Sequence, residues 1–133
     1  MNYFYHGSTI QNLKVLEPRH RYVPVDEITY EAIYATIVPA FAAAHSFPWS
    51  SGEGFILNTT DRKIKMTVPV KFRDRLSVPV SIYKISVEGF EKTLEESTGL
   101  TWHTKNPVVV IEEVKYPSAE NAIQTLGGEI FYK

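Results

Sequence analysis

The residues best suited to chemistry stand at the start of the chain, in Phe4-Tyr5-His6-Gly7-Ser8. A histidine ring can donate and accept hydrogen bonds near neutral pH. Gly7 carries no side chain, so a second molecule can approach the backbone amides beside His6. Such a pairing suits a nucleotide or an amide, and its plain structural counterpart is a strand cap with a satisfied histidine. A second stretch of interest is Ile33-Tyr34-Ala35-Thr36, whose Tyr34 is either a core aromatic or a stacking surface. Other chemistries lack their residues. There is no cysteine, which excludes disulfides, thiolate metal sites and a cysteine nucleophile. The histidines at 6, 20, 45 and 103 fall at no metal-ligand spacing, and no Asp-rich calcium loop occurs. Ser50 and Ser51 have no partners in a recognisable hydrolase motif, and Gly127-Gly128 reads as a helix stop rather than a phosphate cradle.

The elements that must position these residues are short. Phe4 and Tyr5 have the β-propensity to end a buried strand, after which Leu13, Val15 and Leu16 tack a connector onto the core. Arg19 to Pro24 is basic, aromatic and flanked by prolines, which predicts a loop. The run from Ile33 to Thr36 reads as a strand. Pro39 then opens an alanine-rich helix in which Ala40, Phe41, Ala44 and Phe47 recur at helical spacing and His45 lies at the surface or half-buried. Ser50 to Gly54 predicts a flexible loop and Phe55 to Leu57 a short strand. Ile64, Met66, Val68 and Val70 alternate with polar residues as in a half-buried strand, with Pro69 at its edge or break.

Further on, Val80 and Ile82 share one face of a strand while Tyr83, Ile85 and Val87 line the other, which predicts a central position in a sheet. Glu88 to Thr101 reads as a charged excursion anchored by Phe90, Leu94 and Leu100. Pro107 to Val114 reads as one strong strand. Ser118 is placed to cap a helix with an Ala122, Ile123 and Leu126 face that Gly127 ends, and Glu129 to Tyr132 is a closing strand. Six or seven short strands and two or three short helices, without regular alternation, predict an α+β class and a single domain over residues 1–133.

These motifs together resemble the ADP-ribosyltransferase fold. The likeness rests on Tyr-His-Gly-Ser ending a first strand and Ile-Tyr-Ala-Thr leading into an alanine-rich helix. It is nearest to the small bacterial type similar to rifampin ADP-ribosyltransferase. Ser81 to Ile85, the Glu88-Gly89-Phe90-Glu91 turn, Trp102 and Asn106 to Val109 agree with that layout. The resemblance implies a split, mostly antiparallel sheet with a few short helices and a central cleft, with NAD as co-substrate. It implies that His6 bonds a ribose hydroxyl of NAD, that the Gly7 backbone holds the nicotinamide carboxamide with support from Ser8, and that Tyr34, next to Ala35, stacks on the nicotinamide ring. Fixed amides and stacking would hold that ring while positive charge develops on the ribose.

The chain departs from the pattern at the third position. Many members of the family place a glutamate at the start of a late strand, where this chain has Trp102-His103-Thr104, with His103 or Thr104 at that position. The rifampin-modifying type uses a carboxylate on the preceding loop, which here offers Glu88, Glu91, Glu95 and Glu96; the candidates for catalysis are Glu91 and Glu88. RNA 2′-phosphotransferase, a relative on the same fold, also has a His-Gly motif but a histidine where this chain has Tyr34. Two functions follow from the resemblance: transfer of ADP-ribose from NAD to an acceptor, or a non-catalytic module on the same fold that binds a nucleotide or a protein.

Bulk properties narrow the partners. The 133 residues suffice for one substantial core, and a hydrophobic content of 44% is that of a globular chain. Fourteen basic and fifteen acidic residues leave a formal charge of -1, so electrostatics favour a protein or small-molecule acceptor over nucleic acid, although a local patch such as Lys63 with Lys65 could still serve the latter. No apolar run approaches a membrane span, and the opening residues lack a basic, apolar leader, which makes a cytoplasmic location the expectation.

Overall fold

The computed structural model describes residues 2–23, 28–94 and 99–133. In chain order the strands are β1 (Tyr3–Ser8), β2 (Val15–Leu16), β3 (Arg19–Val23) and β4 (Ile28–Ala35). Helix α1 (Pro39–Ala44) and a 3-10 turn (Ser51–Glu53) follow, then β5 (Ile56–Thr60), β6 (Lys63–Val68) and a 3-10 segment (Val70–Ser77). Strands β7 (Val80–Ser86), β8 (Glu91–Lys92), β9 (Trp102–Thr104), β10 (Val108–Val109) and β11 (Glu112–Tyr116) precede α2 (Ala119–Thr125) and β12 (Glu129–Tyr132). The result is a small α+β domain. Among the described residues the strands form four sheets, ordered β1-β7-β11, β2-β10, β5-β6-β12 and β3-β4-β9-β8, and every pairing is antiparallel except β6 with β12. No helix among the described residues is long and apolar enough to cross a membrane.

β7 separates two cores, which is why it carries bulk on both faces. Val80 and Ile82 look into a larger core with α1, α2 and the β5-β6-β12 sheet, where Phe41, Phe47, Phe55, Met66 and Ile123 are buried. Tyr83 and Ile85 look the other way, into a smaller core with Phe4, Leu16, Ile33 and Ala35. Phe4 stacks on Trp102 at 5.1 Å and meets Phe90 edge-on at the same distance. β6 buries Ile64, Met66 and Val68 in strict alternation, and the Asp61-Arg62 turn before it takes positive φ at both residues, as a tight hairpin requires. Ser118 Oγ accepts the Asn121 N–H at 2.9 Å to cap α2, and Gly127 (φ 97°) turns the chain out of it.

Four expectations are corrected. Arg19 to Val23 is strand β3 rather than loop, because β4 extends back to Ile28 and supplies a partner for every residue from Arg19 to Val23. Pro107 to Val114 is two strands, since β10 pairs with β2 while β11 pairs with β7. Ser50 to Gly54 is an anchored turn: Ser50 and Glu53 cap each other, and Arg75 grips Glu53 with both terminal nitrogens at 2.8 and 2.6 Å. Leu94 is 87% exposed and anchors nothing, whereas Phe90 and Leu100 do pack inward. Twelve strands appear among the described residues because several have only two or three, too short to leave a period in the sequence.

Candidate functional site

The two N-terminal motifs meet where β1 and β4 touch. Among the described residues a single isolated bridge joins β1 to Thr36, the residue just past the end of β4, with Tyr5 N–H donating to Thr36 O at 2.7 Å and Thr36 N–H to Tyr5 O at 3.0 Å. One residue further along β1, the side chain of His6 takes over: its Nδ1 lies 2.6 Å from the carbonyl oxygen of Tyr34. A carbonyl can only accept, so Nδ1 carries the proton and Nε2 is the acceptor nitrogen of the neutral ring. Strand alternation then orients Gly7. Tyr5 turns its N–H and C=O toward β4, and Gly7, two residues on, turns its own the same way, past the last rung of the bridge.

The bare side of Gly7 serves a different purpose from the one expected. A Cβ there would lie 2.2 Å from the carbonyl oxygen of Ala42 and 2.8 Å from the Ser46 Cβ. The space is filled by α1, so the glycine lets helix and strand approach closely. Ser8 closes a local turn by accepting the Ile10 N–H at 3.0 Å. Ala35 is 5% exposed, with its methyl in the smaller core, so it can offer a ligand no side chain.

Tyr34 is half-buried and faces away from its core neighbours Ile33 and Ala35. Directly across from it on β9 stands His103, and across from His103 on β8 stands Glu91. Cross-strand partners share a face, so the three side chains form a row over two strand spacings, about 10 Å. The Tyr34 and His103 rings are 6.0 Å apart. Buried Thr93 places its Oγ1 2.8 Å from His103 Nδ1, which fixes the imidazole, and the Thr93 N–H donates to Thr101 O at 2.9 Å to hold β8 in register. Glu91 is exposed, and beyond its backbone pairing with β9 its carboxylate has no hydrogen-bond partner among the described residues.

The structure thus brings the His6 ring to the Tyr34 carbonyl, and separately sets Tyr34, His103 and Glu91 in a row across β4, β9 and β8. Glu88 lies in the exposed turn after β7, where Gly89 takes φ 80° and Phe90 N–H closes on Val87 O. Ser86 at the start of that turn pairs with Tyr3, at the end of β1 remote from Gly7. Glu95 and Glu96 lie outside the described residues. Thr93 has no signal in the sequence, because its role comes from a pairing across the loop that joins β8 to β9.

Beneath the site, Tyr83 pairs with His6 in the ladder and is fully buried; its hydroxyl donates to Ile10 O at 2.6 Å and accepts the Leu13 N–H at 3.2 Å. Burial pushes its phenol above the ordinary tyrosine value, so it remains neutral. Glu113 next to it on β11 accepts from Ser81 Oγ at 2.6 Å and from Asn12 N–H at 2.9 Å. Burial works to raise that carboxyl, but these hydrogen bonds and the nearby Lys115 charge outweigh it and hold it below the usual carboxylate range. These bonds pin the 9–14 loop that follows the His-Gly motif. Comparison with known proteins returns no match: no family model fits the chain, and no curated protein or solved structure resembles it significantly.

Proposed function

We propose that this chain has the ADP-ribosyltransferase fold and binds NAD where β1 and β4 separate. In this reading His6 Nε2 accepts a ribose hydroxyl, the peptide edge of Gly7 meets the nicotinamide carboxamide, and Tyr34 stacks on the nicotinamide ring. The observation that carries it is the bond from His6 Nδ1 to the Tyr34 carbonyl, which sets the two motifs against each other and fixes the tautomer such a role needs. Glu91, in line with Tyr34 and His103, is the carboxylate we assign to transfer. As the glycosidic bond breaks, its electron pair leaves with nicotinamide. The carboxylate faces the positive charge left on the ribose and takes the proton of the acceptor that attacks it. A protein or small molecule is the acceptor class in keeping with the near-zero net charge.

Titration of NAD into the purified protein by ligand-observed NMR tests the reading. Saturable binding is expected, weakened roughly tenfold or more in His6→Ala and Tyr34→Ala, the loss that one oriented hydrogen bond or one ring contact carries. Absence of saturable binding in the wild type overturns it. A second reading, a non-catalytic nucleotide-binding module, is favoured by one observation: Glu91 is exposed and its carboxylate unpartnered among the described residues, whereas a transition-state carboxylate works best when held in place. Nicotinamide release separates the two. Release that falls in Glu91→Gln supports transfer, and binding without release supports the module.

A further inference from the structure

Among the described residues β11 ends its sheet, with no strand beyond its outer edge. Lys84 O accepts the Ile111 N–H and Val78 O accepts the Ala119 N–H, both at 2.9 Å, so the even-numbered residues of β7 direct their backbone groups toward β11. In the register Lys84↔Glu112, Ile82↔Val114 and Val80↔Tyr116, the residues of β11 bonded to β7 are Glu112, Val114 and Tyr116. Glu113 and Lys115 therefore turn their N–H and C=O groups outward, away from the sheet. We propose that β11 pairs antiparallel with β11 of a second copy of this chain, about a two-fold axis through Val114.

The charge pattern selects both the occupant and the register. Centred on Val114, the pairing sets Glu113 against Lys115 of the second copy, and Lys115 against its Glu113. Each of the two pairs exchanges both backbone hydrogen bonds, four in all. Centring on Glu113 or on Lys115 instead would oppose like charges. Val114, 40% exposed in one copy, meets Val114 of the other on the axis. Ile111, 53% exposed, comes opposite Pro117, which has no N–H to leave unpaired at that rung. The two charged side chains are also held ready. Asn12 gives its N–H to Glu113 and accepts from Lys115 Nζ through its side-chain oxygen. Charges on an edge strand ordinarily repel further strands; here their order makes the edge complementary to itself. The product is a continuous sheet β1-β7-β11-β11-β7-β1 across the axis. The contact is short and its apolar part small, so the dimer it predicts is weak and concentration-dependent.

Sedimentation equilibrium from micromolar to millimolar protein, with two charge reversals, tests the proposal. The wild type is expected to dimerise reversibly, and more weakly as salt is raised. Lys115→Glu and Glu113→Lys are each expected to weaken self-association at least tenfold, since two cross-strand pairs turn repulsive. An equimolar mixture of the two variants is expected to recover the wild-type affinity, because every rung again opposes unlike charges. Should Glu113→Lys fail to fold without its Ser81 and Asn12 bonds, amide exchange of the wild type gives the second measurement. Protection of the Glu113 and Lys115 amides should rise with protein concentration while that of Val114, already bonded to β7, stays level. A wild type that remains monomeric to millimolar concentration overturns the proposal. So does Lys115→Glu that associates as tightly as the wild type, or exchange at Glu113 and Lys115 that ignores concentration.

Discussion

Replacing Gly7 by alanine drives a methyl group to 2.2 Å from the Ala42 carbonyl oxygen, a backbone atom that can move only if α1 or β1 moves with it. Overpacking of this kind costs about 1–3 kcal/mol. Gly7→Ala is therefore expected to lower the urea midpoint accordingly, and an unchanged midpoint would mean that α1 does not rest on β1 as described. His6 is fixed by the backbone it meets. Its Nδ1 proton satisfies a main-chain carbonyl, and that bond sets the orientation of the ring. His103 is set by a comparable device, with the Thr93 hydroxyl in place of a carbonyl.

The turn Ser51–Glu53 and the 3-10 segment Val70–Ser77 stand or fall together through Glu53 and Arg75. The hydrogen bonds from the Arg75 guanidinium lower the Glu53 carboxyl from 4.5 to about 2, with Ser50 contributing further. Arg75 also lies over the rings of Phe72 and Phe55, 4.2 and 5.8 Å from their centroids, so the pair ties two irregular elements to the edge of the larger core. A carboxyl whose value is depressed in the fold stabilises it fully above about 4.5, and that contribution is lost as pH falls toward about 2. Glu53→Gln is thus expected to be less stable than the wild type at neutral pH. The gap should close between about pH 4.5 and about pH 2, as followed by urea unfolding at a series of pH values. A gap independent of pH would show that the ion pair is not its source.

At the scale of the molecule, β7 belongs to both cores at once, and Ile37 packs against each. Neither core can lose its packing without exposing a face of the shared strand, so the two are expected to unfold together. The chain carries its own reporters: Trp49 packs on the larger core and Trp102 on the smaller. In Trp49→Phe and Trp102→Phe, each retaining one indole, the fluorescence transitions in urea should coincide. Met66→Ala, which empties a fully buried site in the larger core, should cost about 2–5 kcal/mol. It should shift the Trp102 transition as far as the Trp49 one. A Trp102 midpoint that stays in place would mean that the cores unfold independently.

Much of the fold was legible because the forces involved are local. The alternation of β6, the two apolar faces of β7 and the Ser118-to-Gly127 helix all follow from residues within a turn or two of each other, where periodicity and capping act. The His-Gly and Tyr-Ala motifs could likewise be singled out by residue type, along with a pool of carboxylates. Which strands pair was decided only in three dimensions. Arg19 to Val23 became a strand because β4 offered an edge, and the apolar run after Pro107 broke in two because its halves found different partners. The row of Tyr34, His103 and Glu91 depends on register between β4, β9 and β8, two of them only two or three residues long. A window of sequence holds no record of such a register, because the hydrogen bonds that set it join residues far apart in the chain.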